Sequence, residues 1–284
     1  MLDSSPRFKM IELDETTSTN TFLATYRPPT TTDITLVTAE YQSGGRGQAG
    51  NSWESERGQN LLFSLLVTPA SLPATHLFLL SEAIALSIRD AVAQVLTAPS
   101  SFLPAPASSI PASVRDHSVT VKWPNDVYVG DKKIAGILIE NTLRGPFVDR
   151  CIIGCGVNVN QQRFLSDAPN PVSLRQLVGC DLERSFVLEY IIDVFARRYD
   201  AITASLHRSP LTAHPSPLAP APSVHSDYLA ALYRRTGLHS YRDASGPFRA
   251  EIADVEPTGH LVLRDEAGHL RRYAFKEVEY LVDA

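Results

Sequence analysis

Between residues 119 and 139 apolar positions first alternate with polar ones and then run together. Val119, Val121 and Trp123 alternate with Thr120 and Lys122, the period of two of a half-buried strand. Pro124-Asn125-Asp126 breaks that run, because proline cannot donate to a ladder and Asn and Asp favour turns. Val127–Val129 and Ile134–Ile139 are apolar runs joined at Gly130-Asp131, which predicts a hairpin. Upstream, Phe8–Leu13 and Thr35–Glu40 read as strands, separated by a short helix over Thr21–Tyr26 that follows a run of N-cap residues. Leu61–Val67 is apolar at every position but Ser64 and predicts a strand buried on both faces. A second such strand is Phe147–Asn160.

Spacings of three and four mark two long helices. The first, His76–Leu96, has Leu77, Leu80, Ile84, Ile88, Ala91 and Val95 in line, with Thr75 as candidate cap. The second, Phe186–Ser205, carries Leu188, Ile191, Phe195, Tyr199 and Ile202. Ser173–Val178 is a helical turn stopped by Gly179, and a last helix is expected over Asp227–Thr236, capped by Ser226 and closed by Gly237. From Phe248 onward the texture changes to four short strands with close turns, a small barrel-like β module. Two Pro/Ala/Ser-rich stretches, Ala98–Asp116 and Pro210–Pro222, offer little to pack and are expected to be exposed, mobile insertions near 98–116 and 209–225.

Composition narrows the class. The chain has 284 residues, 44% hydrophobic and 20% charged, enough for a large domain and a small one. A net charge of -5 and a pI near 5.9 argue against a general binder of nucleic acid or anionic membrane. Cys151, Cys155 and Cys180 fit neither a disulfide framework nor a zinc spacing and are expected to be buried thiols. With no long apolar span and an acid-bearing N-terminus unlike a transit peptide, the expected setting is the cytoplasm.

Three stretches carry candidate chemistry. The strand at Thr35–Glu40 empties into a polar loop in which Gly44, Gly45, Gly47 and Gly50 free the backbone to wrap a ligand. Arg46 adds a planar fork for carboxylate or phosphate oxygens. The loop matches neither a Walker pattern nor a dinucleotide fingerprint, and a plain solvent loop fits its composition as well. Asp126 stands at a strand end, where it can hold a hydrated Mg²⁺ or simply close an Asx turn. Lys133 precedes an apolar strand, with Gly136 three residues on, and a lysine at a buried edge needs an anion nearby; Lys132 points to solvent. In Gly154-Cys155-Gly156-Val157-Asn158 two glycines alternate on a buried strand, which suits close packing on a flat ligand or marks a bulge.

Taken together and in this order, EYQSGGRGQAGNSW, VKWPND, KKIAGILIE and GCGVNVN, opened by the STNTF segment at Ser18–Phe22, resemble the biotin protein ligases. The resemblance is dense from Ile11 to Asn160 and continues to the C-terminal module. It implies two steps: biotin and ATP give biotinyl-5′-AMP, and a lysine of a biotin carboxyl carrier domain, such as that of acetyl-CoA carboxylase, then displaces AMP. By match to the family's motifs, Arg46, Lys133, Asp126 and Lys122 are the expected catalytic residues. Ser18, Thr19, Asn20, Gln42, Gly45, Arg46, Lys133, Gly136 and Gly156 are expected on biotin. Arg46, Gly47, Gln48, Trp53, Lys122, Asn125, Lys133 and Asn158 are expected on the nucleotide, with Mg²⁺ on its phosphates and Asp126 as candidate ligand. An ionised carboxylate is already a nucleophile, so the first step needs cations rather than a base. For the second step Asp126 is the nearest candidate acceptor of the amine proton.

The fold that follows is α/β (α+β): a mixed, largely antiparallel, class II synthetase-like sheet backed by the two helices, over 1–237, then an SH3-like β-barrel over 238–284. Arg271, Arg272, Tyr273 and Lys276 of that barrel are candidates to face the nucleotide or the carrier. Two departures stand out. Gln48 occupies a position where a second loop arginine is common, and the STN segment begins at Ser18, which leaves no room for the DNA-binding domain of some relatives; no nucleic-acid or membrane partner is expected. Some relatives dimerise through a sheet edge, so a homodimer stays open. The rival readings are a lipoate or octanoate ligase on the same scaffold and a non-catalytic biotin-binding adaptor.

Overall fold

The structure, a computed structural model, describes residues 8–69, 71–98, 118–166, 170–208 and 222–281. Its first unit is β1 (Phe8–Thr16), α1 (Thr19–Thr25) and β2 (Ile34–Gln42), with β1 and β2 paired in parallel. There follow β3 (Leu61–Val67), α2 (Phe78–Thr97), β4 (Val119–Lys122), β5 (Asp126–Val129), β6 (Lys132–Arg144) and β7 (Phe147–Val157). They form a seven-stranded sheet in the order β1-β2-β3-β7-β6-β5-β4, antiparallel at every pair except the first. The helices α3 (Leu174–Val178), α4 (Arg184–Arg208) and α5 (Pro222–Ala230) come next. Finally β8 (His239–Asp243), β9 (Gly246–Val255), β10 (Leu261–Asp265), β11 (Leu270–Tyr273) and β12 (Glu279–Tyr280) make a five-stranded antiparallel sheet in the order β11-β10-β9-β8-β12.

The uninterrupted apolar run of β3 has a simple cause: both faces of the strand are covered. Phe63, Leu65 and Val67 join Ile153, Cys155 and the α2 residues Leu80, Ile84 and Ile88 in the large core. Leu66 points the other way, onto Leu23 of α1 with Val37 and Ile152. Ser64 shares the α1 face and is wholly buried, so it must find partners there. The large core also takes in Tyr241, Ile252, Leu261 and Tyr273, so it runs without a break into the small sheet.

Several boundaries differ from the sequence reading. α1 begins at Thr19, two residues early, and so places Thr19 and Asn20 on its first turn. Thr75 does not cap α2; it lies in a short 3-10 turn, Ala74–His76, with its hydroxyl 3.0 Å from His76 Nδ1. The last helix starts at Pro222 and stops at Ala230, because the chain beyond it is captured by the sheet edge: Val121 N donates to Ala231 O at 2.8 Å, and Tyr233 N to Val121 O at 2.8 Å. Residues 222–225 therefore belong to a helix; the rest of the two low-complexity stretches, apart from Ala98, lies outside the described residues. β8 was not foreseen, and the last strand is only two residues long. The helical turn at α3 is as expected, with a Ser173–Gln176 capping box and Gly179 at φ 81°.

Candidate functional site

The loop between β2 and β3 folds back on itself. Gly47 N donates to Asn51 O at 2.6 Å and Trp53 N to Gly45 O at 3.0 Å, so Arg46 sits on a narrow two-stranded finger. A Cβ at Gly45 would lie 2.7 Å from Trp53 O, which is why the finger needs glycine there. The finger overhangs a cavity of about 670 Å³ at the ends of β5, β6 and β7, walled on its far side by Phe275–Tyr280 of the small sheet.

Nearly all the expected site residues line this cavity: Ser18, Thr19, Asn20, Gln42, Arg46, Gly47, Gln48, Trp53, Lys122, Asn125, Asp126, Lys133, Gly136 and Gly156. Gly45 and Asn158 do not. Gly45 shapes the finger, and Asn158 is buried outside the lining, its Nδ2 donating to Val172 O at 3.2 Å while its Oδ1 has no partner.

The polar end is built from α1. Thr19 N donates to Gln42 Oε1 at 2.7 Å, and Ser64 Oγ donates to Thr19 Oγ1 at 2.7 Å or to Asn20 Oδ1 at 2.6 Å. Asn20 Nδ2 donates to Glu140 Oε2 at 2.7 Å, and the same oxygen accepts from Arg46 Nη2 at 3.0 Å. Glu140 thus ties the loop arginine to the buried amide. Gly154 makes this possible, since a Cβ there would overlap the Asn20 amide.

The cationic end is held by the hairpin β5–β6. Lys133 Nζ stands 2.7 Å from Asp126 Oδ1, both side chains about one-fifth exposed. Backbone bonds to Asn170 O and from Val172 N fix Lys133 on a parallel bridge. Lys122 donates to Tyr128 Oη at 3.3 Å, and its ammonium lies 5.0 Å from the Tyr128 ring centre and 5.1 Å from that of Tyr280. Burial holds Lys122 below the ordinary lysine value, against the pull of Asp126, with Arg234 and Lys133 adding to the lowering. With Lys276 the lining carries four cationic side chains against two carboxylates, Asp126 and Glu279, an excess suited to an anionic ligand.

Trp53 lies over two of the glycines expected on biotin. Its indole rests directly on Gly136 and Gly156: a Cβ at Gly136 would stand 2.8 Å from its Cζ3, and one at Gly156 would overlap it. Lys133 Nζ is 5.7 Å from the same ring, and the indole Nε1 is buried without a partner. Nor do the C-terminal arginines reach the cavity. Arg271 pairs with Asp265 and Asp243, and Arg272 with Glu256; Lys276 alone of that set lines the wall.

No group of three or more His, Cys, Asp or Glu side chains that could hold a metal occurs among the described residues. Asp126, the expected ligand, is committed to Lys133. Three members of the site were missed: Ser64, flagged only by being polar inside an apolar strand; Glu140, in period-two register with Gly136 and Leu138; and Tyr280, for which no local signal exists.

Residues 12–158, just over half of the chain, match the profile of the Biotin/lipoate A/B protein ligase family. The bifunctional ligase/repressor BirA of Bacillus spizizenii is 32% identical over 171 residues, 58% of this chain and 46% of that protein. The biotin–[acetyl-CoA-carboxylase] ligase of Mycobacterium tuberculosis is 32% identical over 145 residues, covering 51% and 46%. The chain therefore spans about half the length of these curated relatives. Among solved structures, the biotin protein ligase from Aquifex aeolicus in complex with biotin and ATP superposes with a TM-score of 0.70 at 21% identity, over 96% of this chain and 99% of that one, which shows a shared fold.

Proposed function

The chain belongs to the Biotin/lipoate A/B protein ligase family, and from that membership we propose that it is an ATP-dependent biotin protein ligase. It activates biotin as biotinyl-5′-AMP and passes the acyl group to one lysine of a biotin carboxyl carrier domain, in the cytoplasm. The observation that carries this reading is the cavity itself. A buried hydrogen-bonding end, from Thr19, Asn20 and Gln42, faces a cationic end built from Arg46, Lys122, Lys133 and Lys276.

The chemistry fits those two ends. Joining a carboxylate to a triphosphate requires two anions to meet, and Arg46 and Lys133 reduce their repulsion and stabilise the oxygens in flight. Pairing with Asp126 fixes the position of the Lys133 ammonium in the cavity lining. Asn125, whose Nδ2 donates to Ile137 O at 2.5 Å, fixes the turn that carries Asp126. Gln48 Oε1 is buried without a partner and is free to accept from a ligand N–H.

Mg²⁺ suits this site only as a companion of the nucleotide. A hard cation that keeps its waters takes one or two carboxylates plus phosphate oxygens, and Asp126 is the side chain in place to touch it, directly or through water. When bound, it neutralises phosphate charge. Relatives named as acetyl-CoA-carboxylase ligases support a carboxylase carrier domain as acceptor. Among the described residues no helix is long and apolar enough to cross a membrane.

The test is product analysis after mixing the protein with ATP, Mg²⁺ and either biotin or lipoate. Biotinyl-AMP, lost in Lys133→Ala, is the expected result. Lipoyl-AMP alone would move the chain to the other branch of its family, and no adenylate from either acid would overturn the enzyme reading.

A further inference from the structure

Among the C-terminal residues that wall the cavity, one ring reaches Lys122. Tyr280, on β12, places its ring centre 5.1 Å from Lys122 Nζ; on the other side Tyr128, from β5, stands at 5.0 Å. The two rings come from different sheets, and between them they flank an ammonium that also lines the cavity. Tyr280 is itself held by two further rings, Tyr241 at 5.0 Å and Tyr233 at 6.3 Å. Its hydroxyl is buried and has no hydrogen-bond partner. A buried tyrosine that leaves its hydroxyl unpaired is serving through its ring.

Lys122 has little else to hold it. Its hydrogen bond to Tyr128 Oη is long at 3.3 Å, and the nearby carboxylate, Asp126, is engaged by Lys133. A lysine carries four rotatable bonds, so an ammonium with no ion pair samples many positions unless something flanks it. Ring faces attract a desolvated cation without neutralising it, which leaves its charge available to an incoming anion.

Resting on the ligase reading above, we propose that Tyr280 is a positioning residue: with Tyr128 it cages Lys122 and holds that ammonium against the phosphate end of the cavity. Tyr280 thereby contributes to adenylate formation through Lys122, without touching the reacting atoms itself. Arg271 and Arg272 of the same sheet, paired with their own carboxylates, take no part in this.

The experiment compares Tyr280→Phe, which keeps the ring, with Tyr280→Leu and the flexible space-filler Tyr280→Met, which remove it. Adenylate formation by Tyr280→Phe is expected to stay within about twofold of the parent, while kcat falls about tenfold in Tyr280→Leu and Tyr280→Met. In a Lys122→Met background the Tyr280→Leu change should then have no further effect, because the two act as one unit. Independent of activity, lysine-labelled NMR reads the cage directly: Lys122 side-chain protons lie upfield through the ring currents, stay there in Tyr280→Phe and move downfield in Tyr280→Met.

Loss of activity in Tyr280→Phe equal to that in Tyr280→Leu would overturn the proposal, as would effects of Tyr280→Leu and Lys122→Met that multiply. An unchanged Lys122 resonance in folded Tyr280→Met would overturn it too. If the parent protein forms no adenylate, it is the ligase reading that fails, and the resonance still decides whether the cage exists.

Discussion

Lys133 and Asp126 face each other across the start of the hairpin β5–β6, 2.7 Å from nitrogen to oxygen, with both side chains mostly withdrawn from water. The pair is the pivot of the cavity: its ammonium faces the Trp53 ring on one side, and its carboxylate sits in the turn after the proline on the other.

Removing the charge of Lys133 should abolish most of the first step. Lys133→Met is expected to lower kcat for adenylate formation by about a hundredfold or more, the effect of losing one pre-placed donor at a developing charge. It also leaves a half-buried carboxylate without its partner. Single-turnover assay of adenylate by mass spectrometry checks this, with the transfer step followed separately from added biotinyl-AMP. Asp126→Asn tests the second step in the same assay: if transfer from preformed adenylate stays intact, Asp126 does not accept the amine proton.

Gly156 and Gly136 are bare because Trp53 rests on them. Gly156→Ala should drive the indole off its seat at a strain of about 1–3 kcal/mol. Only Trp53 and Trp123 fluoresce as indoles here, so a red shift of the emission reports the displacement. An unshifted spectrum would mean that the ring finds another seat beside the same strands.

Glu140 anchors Arg46 and Asn20 through one oxygen. The arginine is nearly half exposed, so the ion pair is worth about 1 kcal/mol at most, or about fivefold in a binding constant. Glu140→Ala is accordingly expected to raise the biotin KM by about that factor and to leave kcat little changed. Isothermal titration with biotin alone supplies the cleaner measurement.

A pH dependence of stability follows from Glu82, His225 and Asp254. His225 Nδ1 lies 2.8 Å from the buried Glu82 and its Nε2 3.4 Å from Asp254. The bond to Glu82 raises His225 above its ordinary 6.5, against burial, and burial raises Glu82 above the usual carboxylate range. Both shifts have the same sign, so the folded pair keeps a proton that the unfolded chain releases. The contribution of His225 is complete below 6.5 and is lost as pH rises through its raised value; Glu82 opposes ionisation in the same sense. Denaturant midpoints are expected to fall from pH 6 to pH 9, and the slope should flatten in His225→Gln.

The C-terminal arginines offer a contrast. Arg272 is paired with Glu256 at the surface, away from the cavity. Arg272→Ala should leave adenylate formation within about twofold, as surface changes away from a site generally do.

Much of the site was legible because it is carried by short-range motifs. Gly44–Gly50, Lys122–Asp126 and Lys133–Gly136 each fold locally, and residues from all three line one cavity. What escaped was set by contacts distant in sequence. Trp53 covers Gly136 and Gly156 because it stands on a finger 83 and 103 residues upstream that folds over them, which no window of sequence displays. The Glu140–Arg46 bond spans 94 residues. Tyr280 lies in a two-residue strand too short for any periodicity, and it is placed only by pairing with β8. The last helix failed for a related reason: its end depends on capture of Ala231 and Tyr233 by Val121 rather than on a capping residue. The β1–β2 pair reads as two separate strands in sequence; their parallel alignment comes from α1 crossing between them.

The continuity of the core gives the small sheet a weight its size does not suggest. Trp123 Nε1 donates to Gly259 O at 2.9 Å, and Gly259 abuts Phe78 at the start of α2. Arg235 and Arg234 bond to the carbonyls of Ile252 and Leu281. A chain cut before His239 would uncover Phe78, lose the Asp254 contact of His225 and strip one ring from Lys122. Such a fragment is not a smaller version of the protein but an unfinished one, with the floor of its cavity facing water.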